Sequence, residues 1–196
     1  MSQPSFILAS GSPRRRDLLS EAGFSFEVVA PDVEECEDLA VPIRELTSMN
    51  AALKADEVAD RFPEAVVLGA DTLVLLGEKV FSKPTDRAEA AAMLAELNGR
   101  THHVYTAVAI RYHAGDKVSD FSVTTEVTFK ILNEAEQAAY HAQIDPMDKA
   151  GAYAAQDHGE LIIDQIRGSM SNVIGLPMDE VTEELRESFG VSPTTR

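Results

Sequence analysis

The stretch Ala65-Val66-Val67-Leu68-Gly69-Ala70-Asp71-Thr72 decides how this chain folds. Its first six residues are apolar on both faces of an extended chain, so the segment reads as a strand buried between two layers. An aspartate at the end of such a strand stands where open α/β sheets place their ligands. Downstream, Leu73 to Leu76 continues the strand or pairs beside it. Upstream, Phe6-Ile7-Leu8-Ala9 is a second compact apolar run, stopped by Ser10-Gly11-Ser12-Pro13, and reads as a strand entering a turn.

Helical and extended patterns alternate outward from these two runs. Ser12 suits a helix N-cap and Pro13 the first helical position, with Leu18, Leu19 and Ala22 as the buried stripe and Gly23 as the stop. Phe24 to Ala30 reads as a strand ended by Pro31. From Pro42 to Phe62 the period is helical, with Ala55, Val58, Ala59 and Phe62 on one face. Asp86 caps a further helix with Glu89 in capping-box spacing and Ala90, Met93, Leu94 and Leu97 inward. Val104 to Tyr112 is a strand, and Val123, Val127, Phe129 and Ile131 alternate with polar residues in another. Glu134 to Gln143 forms a short helix, Leu161 to Ile166 a strand, and Met178, Val181, Leu185 and Phe189 line a closing helix. The class is α/β, with a mixed central sheet flanked by helices.

Composition narrows the function. The chain has 196 residues, 44% hydrophobic and 26% charged, as ordinary soluble globular proteins do. A net charge of −16 repels polyanions at long range, which argues against nucleic-acid and membrane partners. A few local cations still bind a small anion, because screening limits distant charge to about 10 Å. The single cysteine, Cys36, excludes an internal disulfide and a multi-cysteine metal site. No leader pattern or membrane-length apolar run is visible, so the expectation is a cytoplasmic protein.

Four polar clusters ask for an explanation. In Ser10-Gly11-Ser12-Pro13-Arg14-Arg15-Arg16 three arginines occupy the positive end of a helix, which is electrostatically wrong unless an anion sits there. The segment is a triphosphate cradle or a solvated basic turn, whose exposed arginines add nothing to stability. Asp71 takes a proton from water, holds a divalent cation, or merely caps a turn. Lys83, held extended before Pro84, neutralises phosphate or is a surface lysine, and Lys54 poses the same choice beside Asp56 and Glu57. Asp148-Lys149-Ala150-Gly151-Ala152-Tyr153-Ala154-Ala155-Gln156 is rich in small residues that admit a ligand or a packed segment, and the Gln156 amide suits a nucleobase edge. The acidic run Glu34, Glu35, Glu37 and Asp38 reads as a solvated loop. His102, His103, His113, His141 and His158 show no metal-ligand spacing. Neither a Gly-x-Ser-x-Gly elbow nor a Walker loop is present.

Taken together, Leu8-Ala9-Ser10-Gly11-Ser12-Pro13-Arg14-Arg15, Gly69-Ala70-Asp71-Thr72, Lys83-Pro84, Asp148-Lys149-Ala150-Gly151-Ala152-Tyr153 and Gly175-Leu176-Pro177 resemble the Maf family of nucleoside triphosphate pyrophosphatases, in order and over nearly the whole chain. The resemblance implies one domain, residues 1–196, of two lobes with no separable linker and a cleft between them, similar to the inosine triphosphate pyrophosphatases. It implies hydrolysis of a nucleoside triphosphate between the α- and β-phosphates with a divalent metal, Mg or Mn. By motif, Asp71 corresponds to the general base, and Lys54, Lys83, Arg14 and Arg15 to phosphate-binding cations, with Ser10 in the same turn. Glu35 and Asp71 correspond to metal-holding acids; Arg14, Thr72 and Gln156 fall at positions linked to substrate choice. The Asp-Lys-Ala-Gly-Ala-Tyr run with its glutamine looks like the branch acting on dTTP and UTP. Ala154, Asp157 and the segment Arg167 to Asn172 depart from that branch. The alternatives are a nucleotide-binding regulator of cell division without turnover, a pyrophosphatase of other base specificity, or a phosphatase releasing orthophosphate. A homodimer is the family expectation.

Overall fold

The computed structural model describes residues 3–36 and 41–194. Strand β1 (Ser5–Ala9) runs into helix α1 (Pro13–Glu21), with Ser12 in extended N-cap geometry and its carbonyl accepting from the Arg16 N–H. Gly23, at φ +83°, turns the chain past the helix end. Strand β2 is only Glu27–Val28, shorter than the pattern from Phe24 to Ala30 predicts. The reason is local. The Phe24 N–H bonds the Leu19 carbonyl at the end of α1, and the Phe24 and Phe26 rings pack on Phe6 instead of extending a ladder.

Helix α2 (Ile43–Arg61) precedes β3 (Ala65–Leu76), which absorbs Leu73 to Leu76 as its continuation. β1 lies parallel between β2 and β3, with Ile7 opposite Val67 and Ala9 opposite Gly69. Alternate residues of β1 and β3 feed two cores. Phe6, Leu8, Val66, Leu68 and Ala70 pack in one; Ile7, Ala9, Ala65 and Val67 meet Val58 and Ala59 of α2 in the other. Burial on both faces is why these strands are apolar throughout.

Gly77, at φ +63°, turns β3 into β4 (Lys79–Phe81), a three-residue antiparallel strand too short and polar to show in the pattern. In α3 (Arg87–Leu97) the Asp86 carboxylate accepts from the Glu89 N–H, as predicted, while the Glu89 carboxylate reaches back to Thr85. Strands β5 (Thr101–Tyr112) and β6 (Lys117–Phe129) follow, then α4 (Glu134–His141) with a complete Asn133–Glu136 capping box. Leu161 and Ile162, expected to open a strand, close the short helix α5 (Gly159–Ile162), because His158 enters it left-handed and its carbonyl receives the Leu161 N–H. The strand itself, β7 (Ile163–Arg167), pairs antiparallel with β6. Helices α6 (Met170–Ile174) and α7 (Met178–Phe189) complete the described chain.

The seven-stranded sheet is mixed, in the order β2-β1-β3-β5-β6-β7 with β4 on β3. The chain divides into two compact units, one of Met1–Asp71, Thr106–Val123 and Gly175–Arg196, the other of Thr72–Tyr105 and Thr124–Ile174. The first closes its core with Leu176, Val181, Leu185 and Phe189 against β1 and β3. The second gathers Val74, Phe81, Leu94, Leu97, Phe129, Tyr140, Tyr153 and Ile162. Among the described residues no helix is long and apolar enough to cross a membrane.

Candidate active site

Asp71 is not at a strand end. β3 runs five residues past it, so the aspartate is a polar interruption inside a strand and neither caps nor turns the chain. Two residues earlier, Gly69 lets α2 close onto β3. A Cβ there would stand 2.6 Å from the Ala51 carbonyl oxygen and 2.8 Å from the Ala55 nitrogen. That close approach sets Lys54, which lies between those two alanines in sequence, beside the strand. Its Nζ lies 2.9 Å from Asp71 Oδ1 and 2.8 Å from Glu35 Oε2. The Lys54 side chain is 9% exposed and Asp71 13%, whereas Glu35 stands half in solvent at 46%. A lysine with its ammonium buried needs such counter-charges, since a buried charge left without a partner is strongly destabilising. Sequence offered Asp56 and Glu57 as partners for Lys54; Asp56 instead pairs with Arg111 and Glu57 with Arg61.

Arg15 is bound into the same unit. Its Nε donates to the Gly175 carbonyl at 2.9 Å, and its Nη1 to the Ala70 carbonyl at 2.8 Å and to Ser10 Oγ at 3.3 Å. Ser10 is buried, and its hydroxyl also accepts from the Ser12 N–H. Burial lowers the guanidinium below its ordinary range; the Asp71 charge opposes that, Arg14 adds to it and Glu35 opposes it again. The basic turn is therefore no loose surface feature. Arg14 is half-buried and Arg16, exposed, pairs with Asp17.

The second unit holds Thr72, Lys83 and Gln156. Lys83 is exposed, and its loop is joined to the small-residue segment by the Gly151 N–H, which donates to the Ser82 carbonyl. Gly151 takes φ +71° with its Cα side against Val74, so a side chain there would be strained and crowded. Lys149 is buried, its Nζ donating to the Asp145 carbonyl and the Asp148 carboxylate, so it braces its own loop. Three rings pin the residues that follow. His141 Nε2 meets the Ala152 carbonyl at 3.0 Å, His102 Nε2 meets the Tyr153 hydroxyl at 2.9 Å, and the Tyr140 hydroxyl both accepts from the Ala154 N–H and donates to its carbonyl. Burial pushes the His102 imidazole down to about 4, with His103 a smaller contributor, and the Tyr140 phenol up to about 12. Gln156 is exposed beyond this brace, its amide donating to Asp157. Sequence reading saw in His102 and His141 only the absence of metal-ligand spacing and did not single out Tyr140, because their partners are backbone atoms or residues far along the chain.

Glu35 and Asp71 are the described pair whose chemistry suits a divalent cation. They bring two carboxylates onto one ammonium, hard oxygen donors of the kind Mg and Mn accept alongside water and phosphate oxygens. Among the described residues no three or more metal-capable side chains cluster. Glu37 and Asp38 of the acidic run lie outside the described residues.

The family model described as Maf-like protein matches residues 5–188. The chain belongs to the Maf family. A dTTP/UTP pyrophosphatase of Akkermansia muciniphila is 50% identical over 178 residues, covering 91% of this chain and 93% of that protein. A dTTP/UTP pyrophosphatase of Bacillus anthracis is 43% identical over 188 residues, 96% and 97% of the two chains. The Staphylococcus aureus Ham1 structure shares 16% identity over 64% of this chain and 71% of its own at a TM-score of 0.43, too loose a likeness to add to the fold already described. The Maf match takes in both groups of polar residues, from the Ser10 turn to Gln156.

Proposed function

We propose that this Maf protein hydrolyses dTTP and UTP to the monophosphate and pyrophosphate. The observation that carries the reading is the buried Lys54 ammonium between the Asp71 and Glu35 carboxylates, on a chain whose relatives over almost its full length are named dTTP/UTP pyrophosphatases. Phosphoanhydride cleavage is mainly a matter of positioning and charge neutralisation, with little covalent chemistry for the protein. Asp71 orients the attacking water and takes its proton. Lys54 holds that carboxylate in place by its 2.9 Å bond. Arg14, Arg15 and Lys83 neutralise phosphate oxygens, and the positive dipole end of α1 at the Ser10 turn favours an anion. Glu35 and Asp71 hold Mg or Mn, which when bound withdraws charge from the phosphates and acidifies water. Thr72 and Gln156 choose the base, the amide offering one donor and one acceptor to the O4 and N3–H edge of uracil or thymine. The protein works in the cytoplasm on free nucleotide, as a homodimer.

The product tests the reading. Purified protein given a panel of nucleoside triphosphates with Mg²⁺ or Mn²⁺ should release pyrophosphate, fastest from dTTP and UTP. Orthophosphate as first product would make it a phosphatase, and nucleotide binding without turnover would make it a regulator.

A further inference from the structure

We propose that Asn50 is a positioning residue that holds the Glu35 carboxylate at the site, a role that rests on the metal-assisted reading above. Asn50 lies in the middle of α2, where asparagine is a poor choice for helix stability. It is 5% exposed, and both ends of its amide are used on one residue outside the helix. The Cys36 N–H donates to Asn50 Oδ1 at 2.8 Å, and Asn50 Nδ2 donates to the Cys36 carbonyl at 3.0 Å. That pair closes like a rung of a ladder and fixes the peptide on both sides of Cys36.

The rung is one of three along a single helix face. Asn50, Lys54 and Glu57 are spaced four and three residues apart, which stacks them on one side of α2. Against them the segment from Asp32 to Cys36 runs in the opposite direction: the Asp32 N–H points at Glu57 Oε2, Glu35 reaches Lys54, and Cys36 is gripped by Asn50. The Asp32 contact is long, at 3.4 Å, and Glu35 is half-exposed. Of the three, only the Asn50 pair is short, buried and doubled. Asn50 thus supplies the fixed end of the strap, and Glu35, one residue away, is carried to Lys54 by it. Removing the amide frees Glu35 to swing into solvent while leaving the helix, and improving its propensity.

The test compares wild type with Asn50→Ala and with Asn50→Asp, which keeps the acceptor for the Cys36 N–H but loses the donor. Two readouts need no turnover. Cys36 is the sole cysteine, so its rate of alkylation reports release of the strap. Mn²⁺ affinity, read by spin resonance of the free ion in the presence of a non-hydrolysable dUTP analogue, reports the carboxylate. Asn50→Ala should weaken Mn²⁺ about tenfold, in the range seen for residues that orient metal ligands, and speed alkylation by a similar factor. Its turnover should recover at saturating Mn²⁺, and Asn50→Asp should fall between. In a Glu35→Gln background the Asn50→Ala change should leave Mn²⁺ affinity where Glu35→Gln alone puts it. Unchanged alkylation, equal Mn²⁺ affinity (absent binding included) or additive losses with Glu35→Gln would overturn the role, and so would an Asn50→Ala protein that fails to fold. Failure of the pyrophosphatase reading shows separately, in the product made by wild type.

Discussion

A side chain at Gly69 would collide with the Ala51 carbonyl oxygen, at 2.6 Å from an ideal Cβ. The Cβ has a fixed place on its own backbone and meets backbone atoms, so neither partner yields by changing rotamer. It fixes how closely α2 lies on β3, and with that the reach of Lys54 to Asp71. Gly69→Ala should therefore cost about 1–3 kcal/mol by overpacking, a loss of several degrees in melting temperature. The folded fraction should also turn over slowly, because Lys54 is lifted from Asp71. Thermal unfolding together with kcat on dTTP tests this, and a variant with wild-type values for both would mean that α2 shifts freely.

Asp71→Asn should abolish turnover and spare nucleotide binding. Asparagine still accepts from Lys54, and Glu35 remains as counter-charge, so the fold survives. What is lost is the capacity to take a proton, typically about 10²–10⁴-fold in rate. Steady-state kinetics beside equilibrium binding of a dUTP analogue decide it; more than about a tenth of the wild-type rate would place the base elsewhere.

Arg14 and Arg15 should separate. The sequence suggested that both are exposed and that neither supports the fold, yet three donor contacts tie Arg15 to Gly175, Ala70 and Ser10. Arg15→Ala leaves those acceptors short of a charged donor, at about 1–3 kcal/mol, and should lower both melting temperature and kcat. Arg15→Lys should rescue little, since an ammonium does not reproduce the planar fork. Arg14→Ala should act mainly on KM. Equal stability losses for the two would remove the distinction.

Acid should destabilise the second unit through His102. Its folded imidazole titrates at about 4 against an ordinary 6.5, so between those values the unfolded chain takes up a proton that the folded chain refuses. Stability is then full above pH 6.5 and falls as pH drops towards 4, by roughly 3 kcal/mol in all at 1.36 kcal/mol per unit. His141, also lowered mainly by burial, adds a smaller slope of the same sign. His102→Gln keeps a polar partner for Tyr153 and should flatten most of the dependence. Denaturant unfolding from pH 4 to 7.5 provides the comparison, and parallel curves for the two proteins would contradict it.

Gln156→Ala should change choice without changing stability, because the side chain is exposed and, among the described residues, donates to the neighbouring Asp157. Wild type should favour dTTP and UTP over ATP, GTP and CTP, and the variant should narrow that gap by raising KM for the favoured pair. A purine triphosphate with the highest kcat/KM in wild type would refute the base assignment and leave the pyrophosphatase chemistry standing.

Apolar periodicity revealed most of the strands and helices, because it records which faces are buried, and burial of β1 and β3 on both faces leaves no polar position to confuse it; β4, with three residues and a polar start, left no such record. It also singled out Asp71 and Gln156, polar residues beside small or apolar ones, and Arg15 within a run of arginines at a helix start, as candidates for chemistry. It could not say what those side chains touch. Glu35, Lys54 and Asp71 come from a loop, a helix and a strand, and Gly69 brings the last two together only once α2 is packed. Arg15 finds its acceptors at residues 70 and 175, and His102 finds Tyr153 fifty-one positions away. Local pattern encodes burial residue by residue, whereas the partner of a buried polar group is fixed by which distant backbone or side chain the packed elements place within hydrogen-bond reach.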